Sequence, residues 1–263
     1  MNEFLNQLAF GWFPYFAVTV LVLGSILRFD KDQYSWRSQS SQFLRRRQMK
    51  LGSNLLHLGV LILLVGHFVG LLTPIRVFDF AGISHEFKQM MALIVGGIAG
   101  IAAWCGATLL LHRRLVDPRI RRSSSFGDIM VLVLLWLQIS IGIATTFWTI
   151  DHIDGSEMVL FMGWAQGILT FNPAAADLIV DAYFVYKLHI VLGLLLFMIT
   201  PFTRLVHIWS APIWFLLRPG YQIVRPRTAQ RTPSPTRGEA GTAPSFGGPA
   251  VSRAVSESGQ SGA

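Results

Sequence analysis

Thiols are almost absent. Cys105 is the single cysteine in 263 residues. It cannot close an intrachain disulfide, and one thiol cannot hold an iron–sulfur cluster or a cysteine-based zinc site. Charge is scarce too. Asp, Glu, Lys and Arg together make up 14% of the chain, against roughly 25% in an ordinary soluble domain. So little charge excludes a disordered protein. Combined with a mean hydropathy of +0.49, it also excludes an ordinary cytosolic globule. Apolar residues fill the place of charge: 52% of the chain is hydrophobic, and much of it lies in long uncharged runs. That pattern points to a polytopic membrane protein.

A membrane helix needs about 20 mostly apolar residues. Runs of that kind occupy residues 4–27, 51–73, 89–111 and 129–150. A fifth covers 188–203 and is expected to begin a turn or so earlier, near Ala182. The expected fold is therefore all-α: a five-transmembrane-helix bundle over residues 1–227. Residues 228–263, rich in Ser, Gly, Pro, Thr and Ala, read as a disordered tail. The apolar stretch 158–171 is too short to cross and reads as an interfacial or re-entrant helix. Residues 208–217 are similarly short and contain Pro212, which suggests a surface segment. The first span is expected to be retained, because Glu3 stands where a signal peptide would be basic and no small-residue cleavage site follows.

The formal charge of +8 and pI near 10.2 resemble a nucleic-acid signal until the basic residues are located. Nineteen of the 22 fall in 28–50, in 112–125 or after Thr203. The loop 149–181 has none, but carries Asp151, Asp154, Glu157, Asp177 and Asp181. Basic loops stay in the cytoplasm. The expected orientation thus has the N-terminus outside and the C-terminus cytoplasmic, and nucleic acid is not an expected partner.

Seven histidines are present. His85, His112 and His152 fall at or beyond span ends and read as loop residues. His57 and His67 lie in the second span, and His189 and His207 in or at the end of the fifth. Ionisable groups inside a membrane are costly and have partners. Antiparallel packing of these two spans pairs His57 with His207 and His67 with His189, in two layers. The spacings differ: ten residues make about 15 Å of helix and eighteen about 27 Å. Eighteen residues are also five whole turns, which would set His189 and His207 on one face, with a break at Pro201 available to absorb part of the mismatch. Two imidazoles on opposite sides of an iron porphyrin would fill both axial positions and make an electron carrier. Tetrahedral zinc fits less well, because the two layers are too far apart to share one ion. A haem-free proton relay, a transporter and a plain membrane anchor remain open on these residues alone. Gly52, Gly59, Gly66, Gly70 and Gly193 could make room for a flat ring or serve close helix packing. Arg204 reads either as a propionate partner or as a positive-inside anchor.

Several segments together resemble the gamma (cytochrome b) subunit of membrane-bound respiratory nitrate reductase. They are QYSWRSQSSQ (33–42), SNLLHLG (53–59), VGHFVGLLTP (65–74), DGSEMVLFMGWAQGILTF (154–171), KLHIVLG (187–193) and PFTRLVHIWSAP (201–212). The resemblance implies an oxidoreductase subunit of the bacterial cytoplasmic (inner) membrane with two b-type haems, ligated by His57 and His207 on the cytoplasmic side and by His67 and His189 on the outer side. It also implies a quinol site beside the outer haem, at Gly66, His67 and Lys88. The implied partners are a cytoplasmic iron–sulfur beta subunit and a molybdenum-containing alpha subunit that reduces nitrate. Related quinone-linked complexes, serving a hydrogenase, formate dehydrogenase or sulfur-cycle enzyme, share this chemistry. Lys88 suits such a site, since an ammonium can hydrogen-bond a quinone oxygen. Its other reading is a snorkelling interface lysine. Lys187 departs from relatives that carry arginine there, which changes geometry more than charge if the side chain meets a propionate.

Overall fold

The computed structural model describes residues 3–32, 46–150 and 154–210. The motif at 33–42, His152, the proposed boundary at 227/228 with its tail, and residues 211–217 lie outside the described residues.

Helices account for nearly all of what is described. The first crossing runs through α1 (Glu3–Asn6), a π-helical stretch at Gln7–Trp12 and α2 (Phe13–Lys31). Then come α3 (Arg46–Leu72), the short α4 (Ile75–Phe80), α5 (His85–Val116), α6 (Pro118–Ser123) and α7 (Phe126–Ile150). After them come α8 (Ser156–Leu169), a 3-10 turn at Ala175–Ile179 and α9 (Phe184–Ile199). Two further 3-10 pieces, Thr200–Phe202 and Arg204–Ser210, follow α9. Five helices among the described residues are long and apolar enough to cross a membrane: Glu3–Lys31, Arg47–Leu72, His85–Val116, Phe126–Ile150 and Phe184–Phe202. They coincide with the five runs read from the sequence.

Local chemistry sets the element ends. Ser84 Oγ accepts the Phe87 N–H at 3.2 Å and opens α5. Asp117 accepts from the Arg119 and Ile120 N–H groups and opens α6, with Pro118 in the first turn. Gly155 precedes α8 with φ +80°, and a Cβ there would lie 3.1 Å from the His85 carbonyl oxygen. Glycine meets both the positive φ and the close approach.

Packing follows small residues. The tightest seam joins α3 to α5. A Cβ on Gly59 would fall 2.5 Å from the Ala99 oxygen, and one on Gly106 would fall 2.4 Å from the Leu56 nitrogen. In a membrane, where lipid tails are as apolar as leucine, such close backbone approach carries much of the association. Leu56, Ala103, Ala107, Leu132 and Ile139 form the core of α3, α5 and α7. From there α7 packs on α9, and α9 on α2. A second core gathers Phe10, Trp164, Ala165, Ala175, Ala176 and Ile179 where α8 and the Ala175–Ile179 turn meet the π-helical stretch. There the Trp164 indole donates to the Phe10 carbonyl at 2.9 Å, and Asn6 donates to the Ala176 carbonyl at 2.7 Å. Helix α8 has 14 residues, too few to cross. Its Met162, Trp164, Ala165 and Gly167 are buried against the rest of the chain. Gln166 ties it to the end of α3 through the Leu71 and Thr73 carbonyls, both at 3.1 Å.

Candidate functional site: two histidine pairs

Helix α3 supplies His57 and His67, and α9 supplies His189. His207 stands beyond α9, on the 3-10 segment Arg204–Ser210. The expectation that His189 and His207 share one face of a continuous helix does not hold. Pro201 has no N–H to continue the ladder, α9 gives way to 3-10 geometry at Thr200, and Thr203 is extended with ψ 180°. The chain therefore turns before it presents His207, and this break deals with the unequal spacing of the histidines.

The rings meet across the bundle. His57 and His207 have centres 5.9 Å apart with planes at 62°. His67 and His189 have centres 6.1 Å apart with planes at 37°. Helices α3 and α9 are otherwise not a packed pair: α3 leans on α5 and α8, and α9 on α2 and α7. Helix α3 thus meets α9 and the 3-10 segment after it through paired imidazoles.

This donor set suits haem iron. A ligating imidazole nitrogen lies about 2 Å from its metal, so two rings facing one ion from opposite sides have centres roughly 6 Å apart. Three of the four rings have Nδ1 against a backbone carbonyl: His57 on Ser53 O at 2.7 Å, His67 on Leu63 O at 2.7 Å and His207 on Arg204 O at 2.5 Å. An Nδ1–H donated to a carbonyl fixes the tautomer and leaves the Nε2 lone pair for a metal. Among the described residues no three His, Cys, Asp or Glu side chains gather to hold a bare ion. Two protein donors per site match a metal whose other positions come from a macrocycle.

His189 is the exception. Its Nδ1 is buried without a hydrogen-bond partner. Gln138 of α7 lies beside it, with the amide nitrogen 3.1 Å from the His189 carbonyl and 3.4 Å from Nε2. A Cβ on Gly142, one turn further along α7, would lie 2.9 Å from the His189 ring. Sequence reading missed both residues. The available signal was Gln138, the one side-chain amide in the apolar run 129–150.

The glycines divide. Gly52 and Gly59 serve the α3–α5 seam, and Gly193 abuts the Gln138 amide. A Cβ on Gly66 or Gly70 would meet nothing within 4 Å, so these two border open space, Gly70 one turn from His67. Lys88 stands near the start of α5 with its ammonium 2.9 Å from Met162 Sδ and 4.1 Å from the centre of the Phe78 ring. It and the Gly66–His67 stretch are on different helices, bridged by α8, which contacts Lys88 through Met162 and the end of α3 through Gln166. Arg204 binds a carboxylate of the chain itself: its guanidinium is 2.6 Å from Asp128 Oδ1. Lys187 is buried and donates to the Val180 carbonyl. His85 begins α5, with Nε2 3.9 Å from Asp79.

Fold and site together define a multi-pass helical membrane protein built around two transverse histidine pairs. The family described as nitrate reductase gamma subunit matches residues 6–227. The respiratory nitrate reductase 1 gamma chain of Escherichia coli (strain K12) is 45% identical over 225 residues, covering 86% of this chain and 99% of that one. The nitrate reductase gamma chain of Bacillus subtilis (strain 168) is 38% identical over 223 residues, covering 85% and 99%. A nitrate reductase-like protein of Mycobacterium tuberculosis, NarX, is 32% identical over 230 residues, and the match covers 35% of its length. The chain belongs to the nitrate reductase gamma subunit family, and so is a membrane subunit of a multisubunit oxidoreductase.

Proposed function

We propose that this chain is the diheme cytochrome b that oxidises quinol for a respiratory nitrate reductase. The observation that carries the reading is the double ring pairing, 5.9 and 6.1 Å between centres, between α3 on one side and α9 with the 3-10 segment after it on the other. His57 and His207 would hold one b-type haem and His67 and His189 the other. Bound there, two haems would supply one-electron transfer.

The chain's own residues do the rest. Nδ1–carbonyl bonds orient three of the imidazoles. Lys88 is proposed to bind a quinol oxygen near the His67 end. A thioether and an aromatic face are weak partners for an ammonium, so an oxygen ligand displaces little by taking their place. Gly66 offers open space at the same end. The Lys and Arg distribution supports placing the His67 end outside, with the N-terminus outside and the C-terminus cytoplasmic. Quinol protons would then leave on the outer face. Electrons would pass inward to an iron–sulfur beta subunit and on to a molybdenum alpha subunit that reduces nitrate.

The test is haem per polypeptide and a reduced-minus-oxidised spectrum of the full chain in its complex. Two low-spin b haems are expected in the parent, and one in each of His57→Ala and His67→Ala. A reporter active only outside the cytoplasm should work when fused within 149–181 and fail when fused after Ser210. A colourless parent protein would end the cytochrome assignment.

A further inference from the structure

His207 is presented by a weak element. A 3-10 run longer than three or four residues is uncommon because its hydrogen bonds are poorly aligned, and Arg204–Ser210 has seven. It also follows an extended break at Thr203. The segment's own bond to the ring, from His207 Nδ1 to the Arg204 carbonyl, is only as fixed as the 3-10 turn that carries it.

Two external clamps fix that turn. On one side, Arg28 of α2 donates Nη1 to the Pro201 carbonyl at 2.7 Å and to the Thr203 carbonyl at 2.8 Å. Gly24, one turn earlier, leaves the room that Pro201 occupies: a Cβ there would lie 2.9 Å from the proline ring. On the other side, Arg204 Nε donates to Asp128 Oδ1 at 2.7 Å, and a second guanidinium nitrogen lies 2.6 Å from the same oxygen. Asp128 is itself fixed. Its Oδ2 accepts the Ser125 N–H at 3.2 Å, its own N–H donates to Ser125 Oγ at 3.2 Å, and Arg114 stands 3.6 Å from Oδ2. The carboxylate is 13% exposed, so the pair is little screened by water.

Arg204 then connects the clamp to the ring. Its side chain is held by Asp128 while its carbonyl oxygen lies 2.5 Å from His207 Nδ1. We infer that Asp128 is a positioning residue for His207, acting through Arg204 on the plane of the imidazole. The inference deepens the proposed function, because it rests on His207 being a haem ligand. It also reassigns Arg204: its guanidinium is a structural brace first, whether or not it reaches a propionate. No comparable brace is needed at the other pair, where both histidines sit on regular α-helix.

The test compares Asp128→Asn and Asp128→Glu with the parent in the full membrane complex, by haem content and by electron paramagnetic resonance, whose low-spin signals report the mutual angle of the axial rings. His57→Ala marks which signal belongs to the His207 site. Asp128→Asn is expected to lose or displace that signal and to leave the His67–His189 signal unmoved. Asp128→Glu keeps the charge on a longer arm and should retain both haems while displacing the same signal. If neither variant alters the His207-site signal, the inference is overturned. If both haems fall together in both variants, Asp128 only holds the bundle, and the inference is again overturned. A parent with no haem at that pair would instead overturn the proposed function itself, and with it the inference.

Discussion

Lys88 concentrates the question of substrate at the level of a single side chain. Its ammonium is spent on a methionine sulfur and a phenylalanine face, both weaker partners than an oxygen acceptor. Losing one hydrogen bond to a charged group costs about 1.5–3 kcal/mol, roughly ten- to a hundredfold in kcat/KM for quinol. Lys88→Ala is expected to show that loss with both haem signals intact, and Lys88→Arg to recover part of it. Normal quinol kinetics in Lys88→Ala would remove the residue from the site. Residues of this kind differ in how legible they are. The four histidines stood out because a titratable ring inside an apolar run demands an explanation. Asp128 did not, because a carboxylate at a span edge is ordinary and its partner lies 76 positions away. Gln138 was readable as an amide in an uncharged run, but its neighbour His189 emerges only when α7 and α9 are packed.

Among elements, the five crossings were legible because membrane thickness converts run length directly into a helix. Two features were not. The π-helical stretch Gln7–Trp12 lies within an unbroken uncharged run, and the partners at its start and within it, Ala176 and Trp164, lie 170 and 154 positions away. The transition to 3-10 geometry after α9 was foreshadowed by Pro201, but the direction taken afterwards is set by Arg28 and Asp128. Glycines read alike in sequence and separate only by neighbourhood. Gly106→Val places branched carbon where backbone atoms of α3 already lie at 2.4 Å. It should destabilise the α3–α5 seam by at least the ~1–3 kcal/mol typical of overpacking. Gly66→Ala meets no atom within 4 Å and should melt like the parent. Thermal unfolding in detergent, followed by haem absorbance, checks both; equal melting of the two variants would contradict the seam.

At the scale of the whole molecule, the arrangement of α3 and α9 has a consequence beyond the proposed electron transfer. Helices α3 and α9 share no extensive packed seam, so on the proposed function a haem held between the histidine rings would be a keystone as well as a wire. Anything that binds the folded chain and not the unfolded one adds stability that grows with its free concentration. The amount of assembled protein should therefore follow haem supply: in haem-starved cells the chain should be cleared by membrane proteases faster than its message declines, and adding haem back should restore it. Equal lifetimes with and without haem, measured by pulse-chase, would show that the bundle closes unaided. Through that dependence a cell short of iron would lose this membrane subunit at the level of protein survival, before any regulator of transcription had to act.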